Sequence, residues 1–278
     1  MEDRRRGIFT AIAVILIAGC FIWILSSHGK AGRSKEITND RVEFLGQEIN
    51  SISLELGGCS VEVKEGDAFS LEYTDVYKDR LSYEVNNEVL SVKYDVSKHA
   101  GLSLFDFGID NDSDIDSKIV LTVPEGIILE NAAMEFGAAE VRMHSVTAEK
   151  LVLTVGAGEL TAKRLTATGS AEVKVGAGSL TCEESELANA SIECGVGELI
   201  FGGTVSGDTR VKCGVGEVSM NLTDCAQDDF FGSLKCGLGE LSFGDIKISG
   251  SGSRNYGDEG GHRFDADCGV GEISVKFR

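Results

Sequence analysis

A short signature, apolar-Gly-x-Gly-(Glu/Ser)-apolar, recurs along the second half of this chain and constrains its fold more than any other feature. It occurs as Val155-Gly156-Ala157-Gly158-Glu159-Leu160, Val175-Gly176-Ala177-Gly178-Ser179-Leu180 and Cys194-Gly195-Val196-Gly197-Glu198-Leu199. It returns as Cys213-Gly214-Val215-Gly216-Glu217-Val218, Cys236-Gly237-Leu238-Gly239-Glu240-Leu241 and Cys268-Gly269-Val270-Gly271-Glu272-Ile273. A degenerate earlier copy is Phe136-Gly137-Ala138-Ala139-Glu140-Val141. The first glycines lie 19, 20, 19, 19, 23 and 32 residues apart, so the unit is a coil of 19–20 residues and the last two spacings hold insertions.

Each copy runs into an alternating segment, such as Glu159-Leu160-Thr161-Ala162, and follows another, such as Ala171-Glu172-Val173-Lys174-Val175. Period-2 alternation bounded by glycine is the mark of short strands with one buried face. No stretch after residue 26 sustains a 3.6-residue apolar stripe. One coil is too narrow to bury its own apolar face, and stacking coils removes that problem, which predicts an all-β single-stranded β-solenoid. The glycines are expected at corners, where a tight turn or a positive φ excludes a Cβ. A dinucleotide fingerprint needs a third glycine opening a helix, and Thr, Ser or Ile within a strand stands there instead, so no nucleotide is expected.

Residues 49–130 read as longer, less regular strands, with Asn86-Asn87-Glu88 as a hairpin turn. They include Leu56-Gly57-Gly58-Cys59-Ser60-Val61-Glu62-Val63 and the junction Val123-Pro124-Glu125-Gly126. Together with an N-terminal apolar span and the Gly-x-Gly-Glu-Leu ladder, these motifs resemble the bacterial putative-adhesin β-strand-repeat family, related to toastrack-type envelope domains. The resemblance covers roughly residues 49–278 and speaks to architecture more than to activity. It implies an extracytoplasmic solenoid near envelope-stress and surface-associated systems, and it carries over no catalytic residues.

Gly7 to Leu25 form an uncharged apolar run directly after Arg4, Arg5 and Arg6, long enough to cross a bilayer as a helix. Ile17-Ala18-Gly19-Cys20 also reads as a lipobox, but the apolar run continues past Cys20 to Leu25. An uncleaved single-pass anchor, lipidation at Cys20 and simple cleavage all stand open, the first favoured by that continuation. The domain reading is a cytoplasmic tail at 1–6, a transmembrane helix at 7–25, a linker at 26–48, irregular β coils at 49–130 and regular repeats at 131–278. The arginines abut the span, which puts the C-terminal domain outside the cell membrane.

Charge narrows the partners. The chain carries 26 basic and 45 acidic side chains, a formal net of −19, so a phosphate backbone is repelled and nucleic acid is excluded as a partner. The expected contacts are the membrane, through the N-terminal helix, and an envelope or surface protein or polymer. Glu140, Glu159, Glu198, Glu217, Glu240 and Glu272 alternate with inward positions and should stack outward as an acidic row. Cys194, Cys213, Cys236 and Cys268 fill the slot that Val155 and Val175 occupy in sister coils, and Cys182 fills the slot of Ala162, so these thiols are expected inside as small hydrophobes. Disulfides between neighbouring coils and metal ligation are the weaker alternatives, since no Cys-x-x-Cys pair occurs.

Asp110, Asp112, Asp114 and Asp116, with Asp106 nearby, offer alternate carboxylates to calcium. An EF-hand requires Gly after the third acid and Glu at the twelfth position, where Ile115 and Leu121 stand, so the segment reads mainly as an acidic loop. His28, His99, His144 and His262 form no metal or catalytic motif, and no cofactor is expected. Ser249 to Gly261 reads as an excursion between the last two coils, and Lys276 and Arg278 as protection of a terminal edge strand. The leading function is therefore a non-catalytic binding or scaffold module of the bacterial envelope. The alternatives are a polysaccharide-acting β-helix enzyme and end-to-end self-assembly.

Overall fold

The computed structural model describes residues 36–95, 116–258 and 260–278. Among these, no helix is long and apolar enough to cross a membrane. The expected tail at 1–6, the span at 7–25 and Cys20 lie outside the described residues.

The described residues from Glu36 onward are built of strands, with one 3-10 turn among them at Gln227–Asp229. The N-terminal end comprises β1 (Ile37–Glu43), β2 (Ser51–Gly57), β3 (Ser60–Gly66), β4 (Ser70–Tyr77), β5 (Leu81–Asn86), β6 (Val89–Asp95) and β7 (Lys118–Pro124). The middle comprises β8 (Leu129–Phe136), β9 (Glu140–Val155), β10 (Glu159–Val175), β11 (Ser179–Ala188), β12 (Ala190–Cys194), β13 (Glu198–Ser206), β14 (Thr209–Cys213) and β15 (Glu217–Leu222). The C-terminal end holds β16 (Phe230–Cys236), β17 (Glu240–Phe243), β18 (Ile246–Ser249), β19 (Gly252–Tyr256), β20 (His262–Cys268) and β21 (Glu272–Phe277).

Sequence alternation sets both the burial and the corners. Along β10, Leu160, Ala162, Leu165, Ala167, Ala171, Val173 and Val175 are buried. The alternation breaks at Lys163-Arg164 and again at Thr168-Gly169, where consecutive exposed residues mark a bend. With the Gly-x-Gly corner these bends divide each coil into three short runs. Successive coils pair in parallel and in register, Leu160 beside Val141 and Leu180, Val173 beside Leu153 and Ile192. Inward side chains therefore stack into columns. One column runs Val141, Leu160, Leu180, Leu199, Val218, Ile273, Leu241, all fully buried, and each member contributes about 1.5–3 kcal/mol of hydrophobic stabilisation.

In the middle, neighbours in sequence are neighbours in space; at both ends that order is broken. β2 and β3 lie between β6–β7 on one side and β8–β9 on the other. At the opposite end β20 and β21 slot between β14–β15 and β16–β17. The chain's last strand is therefore interior, which corrects the reading of Lys276 and Arg278 as edge protection. Antiparallel strands close each end instead. β5 and β4 cover β6 and β7, β1 covers β4, and β18 and β19 cover β17 and β16. Asn87 and Glu88 take positive φ in the β5–β6 turn, as a tight hairpin requires.

Two further expectations change. Residues 37–43, within the expected linker, form β1 because the outer edge of β4 needs a hydrogen-bonding partner. Residues 252–256, within the expected excursion, form β19 for the same reason on β16. The exposed edges are blunted: β18 is four residues long and carries Lys247, and β1 has a register shift between Thr38 and Asp40 with the ion pair Arg41–Glu43 at 3.2 Å.

Aromatic rings plug the ends. Phe230, Phe243, Tyr256, Phe264 and Phe277 cluster at the C-terminal end, Phe243 lying 4.8 Å from Tyr256 and 4.9 Å from Phe264. Phe44, Tyr73 and Tyr83 form a smaller cluster at the other end.

The corner glycines serve a different purpose from the one expected. None of those in the Gly-x-Gly copies has a positive φ. The constraint is the coil beneath: a Cβ on Gly178 would stand 2.1 Å from the Gly158 carbonyl oxygen, and one on Gly216 2.0 Å from that of Gly197. Coil-to-coil approach of the backbones, not turn conformation, excludes a side chain at the second glycine of each Gly-x-Gly copy.

Candidate functional site

The Gly-x-Gly corner has an outer consequence. Its middle residue sits between two glycines on the convex edge of the coil, with nothing to bury it. In spatial order these residues are Ala138, Ala157, Ala177, Val196, Val215, Val270 and Leu238, following the coil order set by the flanking strands. Val196, Val215, Val270 and Leu238 are 68%, 59%, 57% and 79% exposed. They make up half of the eight large apolar residues exposed among the described residues, and they occupy four consecutive corners. Scattered exposed apolar residues are ordinary; a continuous ridge of them marks an interaction surface.

The ridge is bordered by charge of two kinds. Beside it runs the predicted acidic row, in spatial order Glu140, Glu159, Ser179, Glu198, Glu217, Glu272, Glu240. The glutamates are exposed, so this part of the sequence reading holds. On the other side Glu193, Lys212, Asp267 and Lys235 alternate in sign, with Lys212 3.1 Å from Glu193. A shallow trough lies between the ridge and the glutamates, lined by Gly197, Gly216, Gly271 and the flanking Val and Glu side chains.

Beneath the ridge lies the thiol ladder. Cys194, Cys213, Cys268 and Cys236 stack in consecutive coils and are buried, and Cys182 is buried in its own column. The Cys194, Cys213 and Cys268 thiols donate to the carbonyl oxygens of Gly197, Gly216 and Gly271 at 3.1, 2.9 and 3.0 Å. All seven described cysteines are free. Burial pushes the Cys194 thiol up to about 11 and those of Cys59, Cys182 and Cys268 up to about 12, so they stay protonated and unreactive near neutrality. The thiols act as packing for the corners.

The remaining candidates do not converge. Asp106, Asp110, Asp112 and Asp114 lie outside the described residues, and Asp116 is exposed just before β7. No three His, Cys, Asp or Glu groups among the described residues could hold a metal ion together. His144 lies 3.8 Å from Glu62, whose carboxyl is held below its ordinary range mainly by the hydrogen bond from Lys118. His262 packs near Phe230 at the C-terminal end. Arg164, Lys174, Arg210 and Lys212 each face a separate acid across the surface.

Sequence reasoning missed two features. One is the ridge itself, although its signal was present: the middle residue of the signature changes from Ala to Val to Leu between two glycines. The other is a cleft of about 1150 Å³ at the C-terminal end, bordered by Asp224, Asp228, Asp229, Asp245, Asp258 and Arg254. Those residues come from separate loops and the cap strand, and no spacing in the chain connects them.

The Toastrack DUF4097 family model matches residues 49–260. The chain belongs to the Toastrack family. Among solved structures, this Toastrack chain is similar to a putative cell adhesion protein from Clostridium sporogenes, at 16% identity and TM-score 0.35, covering 87% of this chain and 100% of that one. It is also similar to putative adhesins from Bacteroides fragilis (14%, TM-score 0.40) and Parabacteroides distasonis (15%, TM-score 0.42), each covering 87% of this chain and 98% of the other. Comparison with curated proteins finds no match.

Proposed function

We propose that this Toastrack chain is a non-catalytic binding module of the bacterial cell envelope, anchored by residues 7–25, that presents its corner ridge to a surface partner. The observation that carries this reading is the run of four exposed apolar side chains on consecutive corners, bordered by a row of like charge. Catalysis on a solenoid face requires an acid, a base or a nucleophile brought to one point. Here Arg164, Lys174, Arg210 and Lys212 are dispersed into separate ion pairs.

The location rests on the sequence at the N-terminus: an apolar span preceded by three arginines. A membrane-impermeant amine reagent applied to intact cells tests it, with lysines between residues 36 and 278 expected to be labelled. Protection of those lysines until lysis would overturn the orientation. The binding face is tested by a photo-crosslinking residue at Val215, compared with one at Lys163, which is exposed on a different corner. A discrete adduct is expected from position 215 alone. Equal yields at the two positions, or none at 215, 238 and 270, would overturn the ridge as the binding face.

A further inference from the structure

The ridge and its acidic border specify the chemistry of an occupant, given the reading of the ridge as a binding face. We infer that the ridge receives a basic amphipathic α-helix lying along the solenoid axis, apolar side chains on Val196, Val215, Val270 and Leu238 and Lys or Arg over Glu198, Glu217, Glu272 and Glu240.

Three observations lead to this. The first is spacing. Neighbouring coils lie about 4.8 Å apart, so four corners span about 14 Å. Three turns of helix advance about 16 Å, whereas three two-residue steps of an extended strand advance about 20 Å. A helix thus keeps one apolar side chain beside each corner with a slip that side-chain flexibility absorbs. A strand runs out of step by more than a whole coil. The second is charge. Four glutamates border the four apolar corners on one side, and Glu193, Lys212, Asp267 and Lys235 cancel on the other. Positive charge is therefore called for on one flank of the occupant only, which is the pattern of an amphipathic helix with a basic edge. A second copy of this chain packed antiparallel would set glutamate row against glutamate row, and packed parallel would set each glutamate row against a flank without net charge, so neither arrangement supplies the cations. The third is chemistry. The corner residues are aliphatic, so they lack the aromatic faces on which a sugar or a base stacks. They suit the i, i+3, i+4 anchors of a helix.

The ridge has a polarity. Its side chains grow from Ala138, Ala157 and Ala177 through three valines to Leu238, at the outermost coil. Contact is deepest at the C-terminal end, so Leu238 and Val270 carry the largest share of the affinity.

The full chain in detergent, titrated with synthetic peptides about 18 residues long, roughly five helical turns, tests this. One peptide is an amphipathic helix of leucines with lysines along one edge. The second has the same composition in scrambled order, and the third carries glutamate for lysine. The first is expected to bind with a gain in helical circular dichroism, the scrambled peptide about tenfold more weakly and the acidic peptide not at all. Leu238→Ser with Val270→Ser should weaken the first peptide about tenfold. Glu217→Gln with Glu272→Gln should weaken it and flatten its salt dependence. These positions are exposed, and a single cooperative unfolding transition confirms that each variant is folded.

Equal binding by the scrambled peptide would overturn the helix, leaving charge attraction alone. Unchanged affinity in the Leu238–Val270 variant would overturn the seat. If no peptide binds while position 215 still crosslinks in cells, the occupant is wrong and the ridge remains the binding face. Silence in both experiments would remove the ridge altogether.

Discussion

The middle of the solenoid and its two ends are built from the same strands but held together differently. In the middle, from β8 to β15, each coil is covered above and below by a near-copy of itself. Aliphatic columns and bare glycine corners suffice there, because the neighbouring coil supplies every partner. At the ends a coil has one uncovered side, and the chain closes it with antiparallel strands and aromatic rings. The middle is therefore limited by how closely backbones approach, and the ends by how much apolar surface can be capped.

The largest expected effect is at the C-terminal plug. Phe243→Ala should lower the unfolding free energy in chemical denaturation by about 3–5 kcal/mol, since the ring is fully buried among four others. A loss below about 1 kcal/mol would mean that the end is not closed by its aromatics.

Next come the corners. Gly178→Ala should cost about 3 kcal/mol, because its Cβ would stand 2.1 Å from a backbone oxygen that has nowhere to move. Gly137→Ala, at the first corner of the regular series, meets nothing closer than 3.7 Å and should change stability by less than about 1 kcal/mol. Equal costs for the two would erase the distinction between a stacked corner and a loosely covered one. Ala139 already makes the point within the sequence: it holds the place that glycine fills in the later copies.

A smaller effect concerns the thiols. Burial raises Cys59, at the N-terminal end, and Cys182, in the middle, to about 12, while an unfolded cysteine titrates near 8.5. The native state then holds more protons than the unfolded one from about pH 8.5 to about pH 12, so stability is intact below that window and falls as pH rises through it. Each such thiol contributes a slope of about 1.4 kcal/mol per pH unit. Cys182→Ala should remove one thiol's share of the slope between pH 9 and 10.5. An unchanged slope in that variant would show that this thiol is not sealed in the core.

The smallest is on the acidic row. Glu217 is flanked in register by Glu198 and Glu272, so Glu217→Gln should raise the thermal midpoint at low salt, by the equivalent of about 0.5 kcal/mol, with the gain vanishing at high salt. A salt-independent change would point to packing instead of repulsion.

Much of this was legible in the chain. Period-2 alternation identified the strands, the repeat identified stacking, and register within the repeat placed Cys194, Cys213, Cys236 and Cys268 inside and the glutamates outside. The reason is local: a residue's side of a strand follows from its position relative to the corner. The role of the glycines was legible only as a constraint. Sequence showed that a Cβ was excluded, but φ and backbone approach give the same signature, and only the stacked coils show that approach is the cause. The ridge was half legible, since the signature fixed its residues but not their order in space.

Sequence by itself determined that this chain is a β-solenoid, where each coil begins, and which side chains face in or out. The tertiary structure alone decided which coil lies beside which at the ends. Corner copies such as Cys236-Gly237-Leu238-Gly239 and Cys268-Gly269-Val270-Gly271 are equivalent as strand partners, so pairing energy does not rank them. What ranks them is the closure of the open edge. β18 and β19 cap β17 and β16, which places that coil outermost and draws the chain's last strand inward. The same choice puts Leu238 beyond Val270 and completes the ridge.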